Sequence, residues 1–285
     1  MMFRRISKKL LPFFLLLAVF VGLAVPASAV FRRTTLYIQG QKLVASPEVC
    51  RMGGVTYVPL RPFVAALDET AEISWNEKKK TATVMAHWLE IRVPQDENYI
   101  VANGRYLYLS GKIKNQNGSL MVPLESLAKA FGVSAVWDEE TETAYITGEV
   151  NPIYPGWAYY DEDSVYWLSH IVHSEAGVEE LEGMIAVAQV VLNRVANSCW
   201  PSTIHDVIFD DRCGVQFTPT ATGTIYEEPC GMAVMAAKMA LEGADVIGDC
   251  CYFMNPDIAD EAWFERNCEY VTTIGSHRFY REGLW

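Results

Sequence analysis

The sequence predicts an α+β protein of two domains, an N-terminal one of repeated strand–helix–hairpin units and a mainly helical C-terminal one. Three observations carry this. An internal repeat fills residues 30–148. Chain breakers crowd residues 149–160. Beyond them, over 161–285, apolar residues recur at helical spacing.

Residues 1–29 read as a secretory signal peptide. Arg4, Arg5, Lys8 and Lys9 supply the charge, Leu10 to Val25 the apolar run, and Ala27-Ser28-Ala29 a small-residue cleavage site. An uncleaved anchor is the other reading, but the run of 16 residues is short for a span of about 20. The chain carries a net charge of −12, and loss of those four cations takes it to −16. Such a charge disfavours nucleic acid and anionic polymers as partners. After cleavage, no remaining stretch is long enough to engage a membrane as a span.

In the repeat, Gly54-Val55-Thr56-Tyr57-Val58-Pro59-Leu60 returns as Gly118-Ser119-Leu120-Met121-Val122-Pro123-Leu124. Trp75-Asn76 with Thr81-Ala82-Thr83-Val84 returns as Trp137-Asp138 with Thr143-Ala144-Tyr145-Ile146. The offsets, 64 and 62 residues, make each unit one supersecondary motif. Each reads as a strand, a Val-Pro-Leu helix entry with proline at the first helical position, a short amphipathic helix and a β-hairpin. The hairpin turns fall at 76–80 and 138–141. Residues 149–160 form a linker. Its aromatics Trp157, Tyr159 and Tyr160 imply that it packs on one domain and does not swing freely.

The helical domain opens at Asp161-Glu162-Asp163, where acidic side chains suit a helix start. Over Val165 to Glu175, residues Val165, Leu168, Ile171 and Val172 share one arc. Glu175 returns to within roughly 20° of Leu168. A carboxylate in an apolar stripe is desolvated, its pKa rises, and a raised carboxylic acid is what protonating a glycosidic oxygen requires. The competing reading is a helix-end glutamate turned to water. After a short acidic loop, Leu181 to Val195 is apolar almost all round and is expected to be the buried rod of the domain, with Glu182, Gln189 and Asn193 as its polar exceptions.

The stretch Ser174-Glu175-Ala176-Gly177-Val178-Glu179-Glu180-Leu181-Glu182-Gly183, followed by Met184-Ile185-Ala186-Val187-Ala188-Gln189-Val190-Val191-Leu192-Asn193-Arg194, resembles the SleB/CwlJ-type cell-wall hydrolases, which include the spore-cortex-lytic enzymes. Further matches run in order through Trp200-Pro201, Gln216-Phe217-Thr218, Tyr252-Phe253-Met254-Asn255-Pro256 and Ile274-Gly275-Ser276-His277-Arg278-Phe279-Tyr280. Met184 departs from the glutamine common there, and the clustered cysteines are not a family feature. The resemblance implies a lysozyme-like catalytic domain over 161–285, with Glu175 as catalytic acid and peptidoglycan glycan strands as substrate. Gln216, Phe217, Thr218, Tyr252 and Asn255 are the candidates for substrate binding. Trp263 is a further aromatic candidate outside the matched motifs. Residues 30–148 resemble the stalk domain named after the N-terminal region of copper amine oxidases, implying a spacer or a module that docks on a cell-wall polymer. His87 is its only histidine, so copper chemistry is not supported, and no cofactor is expected.

Glycosidases usually employ two carboxylates, and the sequence offers one well-placed acid. Glu179 and Glu182 follow a turn that leaves their direction open. The resemblance implies lytic transglycosylation, in which the C6 hydroxyl of the muramic acid traps the cationic centre; attack by water is the alternative. Two other classes compete. An amidase would use His170-x-x-His173-x-Glu175 as zinc ligands, but His170 and His173 lie roughly 200° and 140° from Leu168 while Glu175 is near 20°. The histidines are then expected to face solvent. A non-catalytic wall-binding protein is the other.

Seven cysteines are present, six of them after residue 198, and none forms a C-x-x-C. An exported chain permits disulfides. The expected pairs are Cys213–Cys230, contributing about 3 kcal/mol, and Cys268 with Cys250 or Cys251. Cys50 is left as a buried or free thiol. The catalytic domain is also expected to be separable from the repeats.

Overall fold

The computed structural model describes residues 32–258 and 261–283. The signal-peptide segment, 1–29, lies outside the described residues.

Each repeat folds as one strand–helix–hairpin unit. Strands Val55–Pro59 and Ser119–Pro123 run into helices α1 (Leu60–Leu67) and α2 (Leu124–Phe131), and hairpins Glu72–Asn76/Thr81–Ala86 and Ser134–Asp138/Thr143–Thr147 follow. The two units meet through their equivalent strands, which pair antiparallel with Val58 opposite Val122 at the centre of a five-stranded sheet. Pro59 and Pro123 are the last strand residues and cap the helices, one place earlier than the first-helical position expected. A ring that fixes φ suits either the strand end or the cap, which the two elements share here. The helices bury Phe63 and Phe131 edge to face, with centroids 6.1 Å apart. The hairpin turns close on side-chain caps: Asn76 Oδ1 accepts from Lys79 N, and Asp138 Oδ1 from Glu140 N and Thr141 N.

The first hairpin continues as a meander through Leu89–Pro94, Tyr99–Ala102 and Arg105–Tyr108, giving a second five-stranded sheet. The second hairpin adds Thr35–Ile38 in parallel, then Gln41–Lys42. Alternation in Leu89–Pro94 sets Leu89, Ile91 and Val93 into the core.

The linker is tied down throughout. Asn151 N–H donates to the Phe131 carbonyl, Ile153 N–H to Ala130, and Gly156 N–H to Asn103. The short helix α3 (Gly156–Tyr159) leads into α4 (Glu162–Ala176), whose N-cap Asp161 accepts from Ser164 N. The helices α5 (Leu181–Ala196) and α8 (Gly231–Leu241) pack against α4. Between them in sequence come α6 (Ile204–Ile208), α7 (Thr218–Thr222) and a single 3₁₀ turn, Thr224–Tyr226. After α8 comes a three-stranded antiparallel sheet, ordered Tyr252–Met254, His277–Glu282, Cys268–Ile274, with α9 (Ala262–Asn267) before its last two strands. As expected, α5 is buried along most of its length. Its polar residues serve the fold. Gln189 Nε2 donates to Asp245 and the Gly248 carbonyl while its Oε1 accepts from Val246 and Ile247 N–H, and Asn193 donates to the Gly248 and Cys250 carbonyls. Glu182 is exposed in the first turn.

The two domains are docked. Glu242, just past α8, has a side chain 2% exposed and receives Arg105 Nε and Nη2 at 2.6 and 2.7 Å, Lys129 Nζ at 3.0 Å and Tyr160 Oη at 3.1 Å. The Arg105 guanidinium lies 3.3 Å from the Tyr159 ring centroid, and Tyr99, Tyr106 and Tyr108 pack on the helical core. Burial pulls the Glu242 carboxyl upward, but the hydrogen bonds and charges of Arg105 and Lys129 outweigh it and hold the group below its usual range. Its stabilising contribution is therefore complete above the ordinary glutamate pKa and lost as pH falls through the lowered folded value.

The expected disulfides are absent. All seven cysteines are free thiols: Cys250 and Cys251 are core residues, and Cys199 and Cys213 are exposed. Burial pushes the Cys250 thiol up to about 12. A small apolar side chain suffices to explain such sites.

Two outcomes are expected. Arg105→Ala strands a buried carboxylate and should cost about 3–5 kcal/mol in chemical denaturation. Combined with Glu242→Ala it should be strongly non-additive. Thiol titration of the denatured protein should find seven thiols, and in the native protein Cys199 and Cys213 should react long before Cys250.

Candidate active site

Glu175 stands in the last turn of α4, half-buried. The helix around it is fixed by contacts with the 3₁₀ turn. His170 Nδ1–H donates to the Ile225 carbonyl at 2.9 Å, and Ser174 Oγ donates to the His170 and Thr224 carbonyls. His170 is thus a buried structural residue with its ring on Tyr166, contrary to the solvent-facing position expected. Its apolar ring body and single satisfied donor make burial cheap. His173 is half-buried with Nδ1 facing no partner. Among the described residues, Glu175 makes no hydrogen bond or ion pair, and no three His, Cys, Asp or Glu side chains converge as a metal-binding set. Desolvation alone raises the Glu175 carboxyl from 4.5 to about 7.

Glu179, four residues on, has a different environment. Its carboxylate accepts from Ser276 N–H at 3.3 Å and from Ser276 Oγ, and lies 3.7 Å from His277 Nδ1. It reaches into the turn at Gly275, where φ is +58° and a Cβ would overlap Glu179 Oε2. Burial lowers the His277 pKa, with the Glu179 charge opposing. Both oxygens of Glu179 hold the loop to the final strand.

The other candidates divide. Phe217 is 1% exposed and packs on Phe253, so its ring is core and not an open stacking face. Tyr252 is half-buried between Trp200 and Trp263, and Trp263 is half-exposed. Gln216 is half-buried with Nε2 on the Gly214 carbonyl. Thr218, exposed, begins α7. Asn255 Oδ1 accepts from Asp257 N. Sequence reasoning overlooked Arg194. Its Nε donates to the Cys251 carbonyl, and its guanidinium lies over Trp200, Phe217 and Tyr252 at 4.1, 5.1 and 5.7 Å, tying four separate segments together. Burial brings its pKa down to about 10. The signal available was a lone cation closing an apolar helix.

A half-buried acid with a raised pKa at the end of a helix suits proton transfer to a glycosidic oxygen. Residues 178–280 match the Cell Wall Hydrolase family and residues 37–146 match the Copper amine oxidase N-terminal domain. The hydrolase match begins just after Glu175. The chain is 36% identical over 120 residues to the spore cortex-lytic enzyme of Oceanobacillus iheyensis, covering 42% of each, and 32% identical to that of Bacillus subtilis, covering 42% of this chain and 38% of that protein. It thus spans less than half the length of these relatives. Among solved structures, the catalytic domain of the germination-specific lytic transglycosylase SleB from Bacillus anthracis matches at 33% identity and TM-score 0.40, over 45% of this chain and 100% of that one.

Gly275→Ala should lower stability by about 2 kcal/mol or more, because it adds both backbone strain and an overlap. Thermal denaturation should also find Gly275→Ala/Glu179→Ala less destabilised than the sum of the single variants, since the second change removes the overlapping atoms.

Proposed function

We propose that this chain is an exported peptidoglycan-cleaving enzyme of the lytic transglycosylase or muramidase type, acting on the MurNAc–GlcNAc strand at a cell wall or spore envelope. The observation that carries the reading is the Glu175 carboxyl, half-buried, without a partner among the described residues, and raised to about 7 on a fixed helix. Such a group holds a proton near neutral pH and gives it up readily.

In the proposed reaction, Glu175 donates its proton to the glycosidic oxygen as the C1–O bond breaks. The C6 hydroxyl of the muramic residue then attacks C1 and passes its proton to the Glu175 carboxylate. The products are a 1,6-anhydro end and a free 4-hydroxyl, and Glu175 ends protonated, ready for the next turn. Engagement of both Glu179 oxygens by the Ser276 turn supports a single-glutamate scheme, because that carboxylate is not free to act as a second catalytic group. No helix among the described residues is long and apolar enough to cross a membrane. The amidase alternative finds no support in His170, whose Nδ1 is committed to Ile225.

Glu175→Gln is expected to abolish release of fragments from purified peptidoglycan while leaving circular dichroism unchanged. Mass spectrometry of wild-type products should find anhydro ends; freed stem peptides would overturn the reading. Wild-type turnover should fall as pH rises past about 7, where the donor loses its proton. Because the folded pKa is raised, the protonated form favours folding at low pH and this advantage disappears as pH rises through about 7. The Tm of Glu175→Gln relative to wild type should therefore climb between the ordinary glutamate pKa and about 7 and stay level above it.

A further inference from the structure

We propose that Trp88, Tyr154 and Trp157 form an accessory glycan-binding platform at the junction of the N-terminal domain and the linker. The three rings are 80%, 77% and 87% exposed. Their backbones converge on one residue. Asn103 Nδ2 donates to the carbonyls of Trp88 and Ile153, its Oδ1 accepts from Glu90 N–H, and its own carbonyl accepts from Gly156 N–H. The Trp88 turn is held from its other side by His87 N–H on Asp68 Oδ2, at 3.2 Å. The platform is thus presented on a fixed backbone.

Trp88 stands in the two-residue turn between strands Thr81–Ala86 and Leu89–Pro94, with its ring edge to face on His87. Trp88 sits at φ +59°, a conformation that costs a bulky L-residue about 1 kcal/mol or more. It buries little apolar surface in return. Among the described non-glycine residues with positive φ, Trp88 is the one that carries a large aromatic ring, and it leaves that ring exposed. The same linker contains a contrast: Tyr159 covers Arg105 and Tyr160 bonds Glu242, while Trp157 touches neither.

The occupant follows from the surroundings. Beside the turn lies a cleft of about 270 Å³ with Leu89, Phe131 and Pro152 as floor and Asp68 and His87 as polar rim. The three rings flank this cleft through their neighbours His87, Leu89 and Pro152 and do not line it; exposed aromatic faces beside an apolar cleft with a few polar groups suit the C–H faces and hydroxyls of sugar rings. No lysine or arginine lines the cleft, and the chain's net charge is −12, so an anionic polymer or lipid surface is disfavoured. The choice of an N-acetylated amino-sugar strand, in particular, rests on the cell-wall reading above. The linker carrying two of the rings runs directly into α4, about 22 Å long, whose far end bears Glu175. A strand held here stays close to the catalytic domain.

The test uses the full chain, with Trp88→Ala/Trp157→Ala and, separately, Trp88→Gly. Sedimentation with purified insoluble sacculi should be weakened about tenfold in the double variant, while turnover of soluble glycan fragments stays at the wild-type level. Trp88→Gly should lose retention without losing Tm, because glycine accepts φ +59°. Wild-type retention by the double variant would overturn the proposal. So would a fall in Tm for Trp88→Gly, or a concentration-dependent self-association that only the wild type shows. Trp-dependent retention by a wild type that cleaves nothing would sustain the platform and sink the enzymatic reading, so the two fail separately.

Discussion

The arrangement of the molecule hangs on burial of the Glu242 carboxylate. A charge removed from water must be repaid by partners, and those partners come from three places: Arg105 in the meander, Lys129 in α2 and Tyr160 in the linker. Satisfying one side chain therefore fixes three segments against the end of α8. Since α8 packs on both α4 and α5, the same node sets the frame in which Glu175 stands. The N-terminal domain is consequently part of the scaffold around the helical domain, with Tyr99, Tyr106 and Tyr108 continuing its core.

Comparing the buried glutamates separates structure from chemistry. Glu242 has cations and a hydroxyl around it, and its proton affinity is pushed down. Glu179 has Ser276 and closes a turn that only glycine fits. Glu175 has no partner among the described residues, and its proton affinity goes up. The residue type is the same in each case. What differs is how many donors the fold aims at the carboxylate, and the group left without any among the described residues is the one whose proton affinity rises toward neutral pH.

The features legible in the sequence were local ones. The Val-Pro-Leu entry with its trailing hairpin could be read twice because each unit spans about thirty residues and repeats its own turn chemistry. The apolar rod of α5 and the apolar stripe ending at Glu175 follow from helical periodicity. What could not be read was long-range. Arg105 and Glu242 are 137 positions apart, and nothing near either announces the other. His170 looked polar because its Ile225 partner, 55 residues away, was invisible. The cysteines misled for the same reason. Their spacing suggested bridges, whereas the fold uses Cys250 and Cys251 as small core side chains.

Aromatic content posed the same difficulty, since composition counts rings without saying which face water. Phe217 fell within a motif and is buried, enclosed by Phe253 and the Arg194 guanidinium. Trp88 fell within no motif and stands in the open at a positive φ. A buried ring explains itself through the area it removes from water. An exposed one held by an exhaustively hydrogen-bonded asparagine does not, because Asn103 would stabilise the same turn whatever side chain occupied position 88. The hydrogen bonds at this junction run through backbone carbonyls and amides, so none of them depends on which side chain stands at 88, 154 or 157. That three large aromatics occupy those positions is accordingly a statement about what the surface meets.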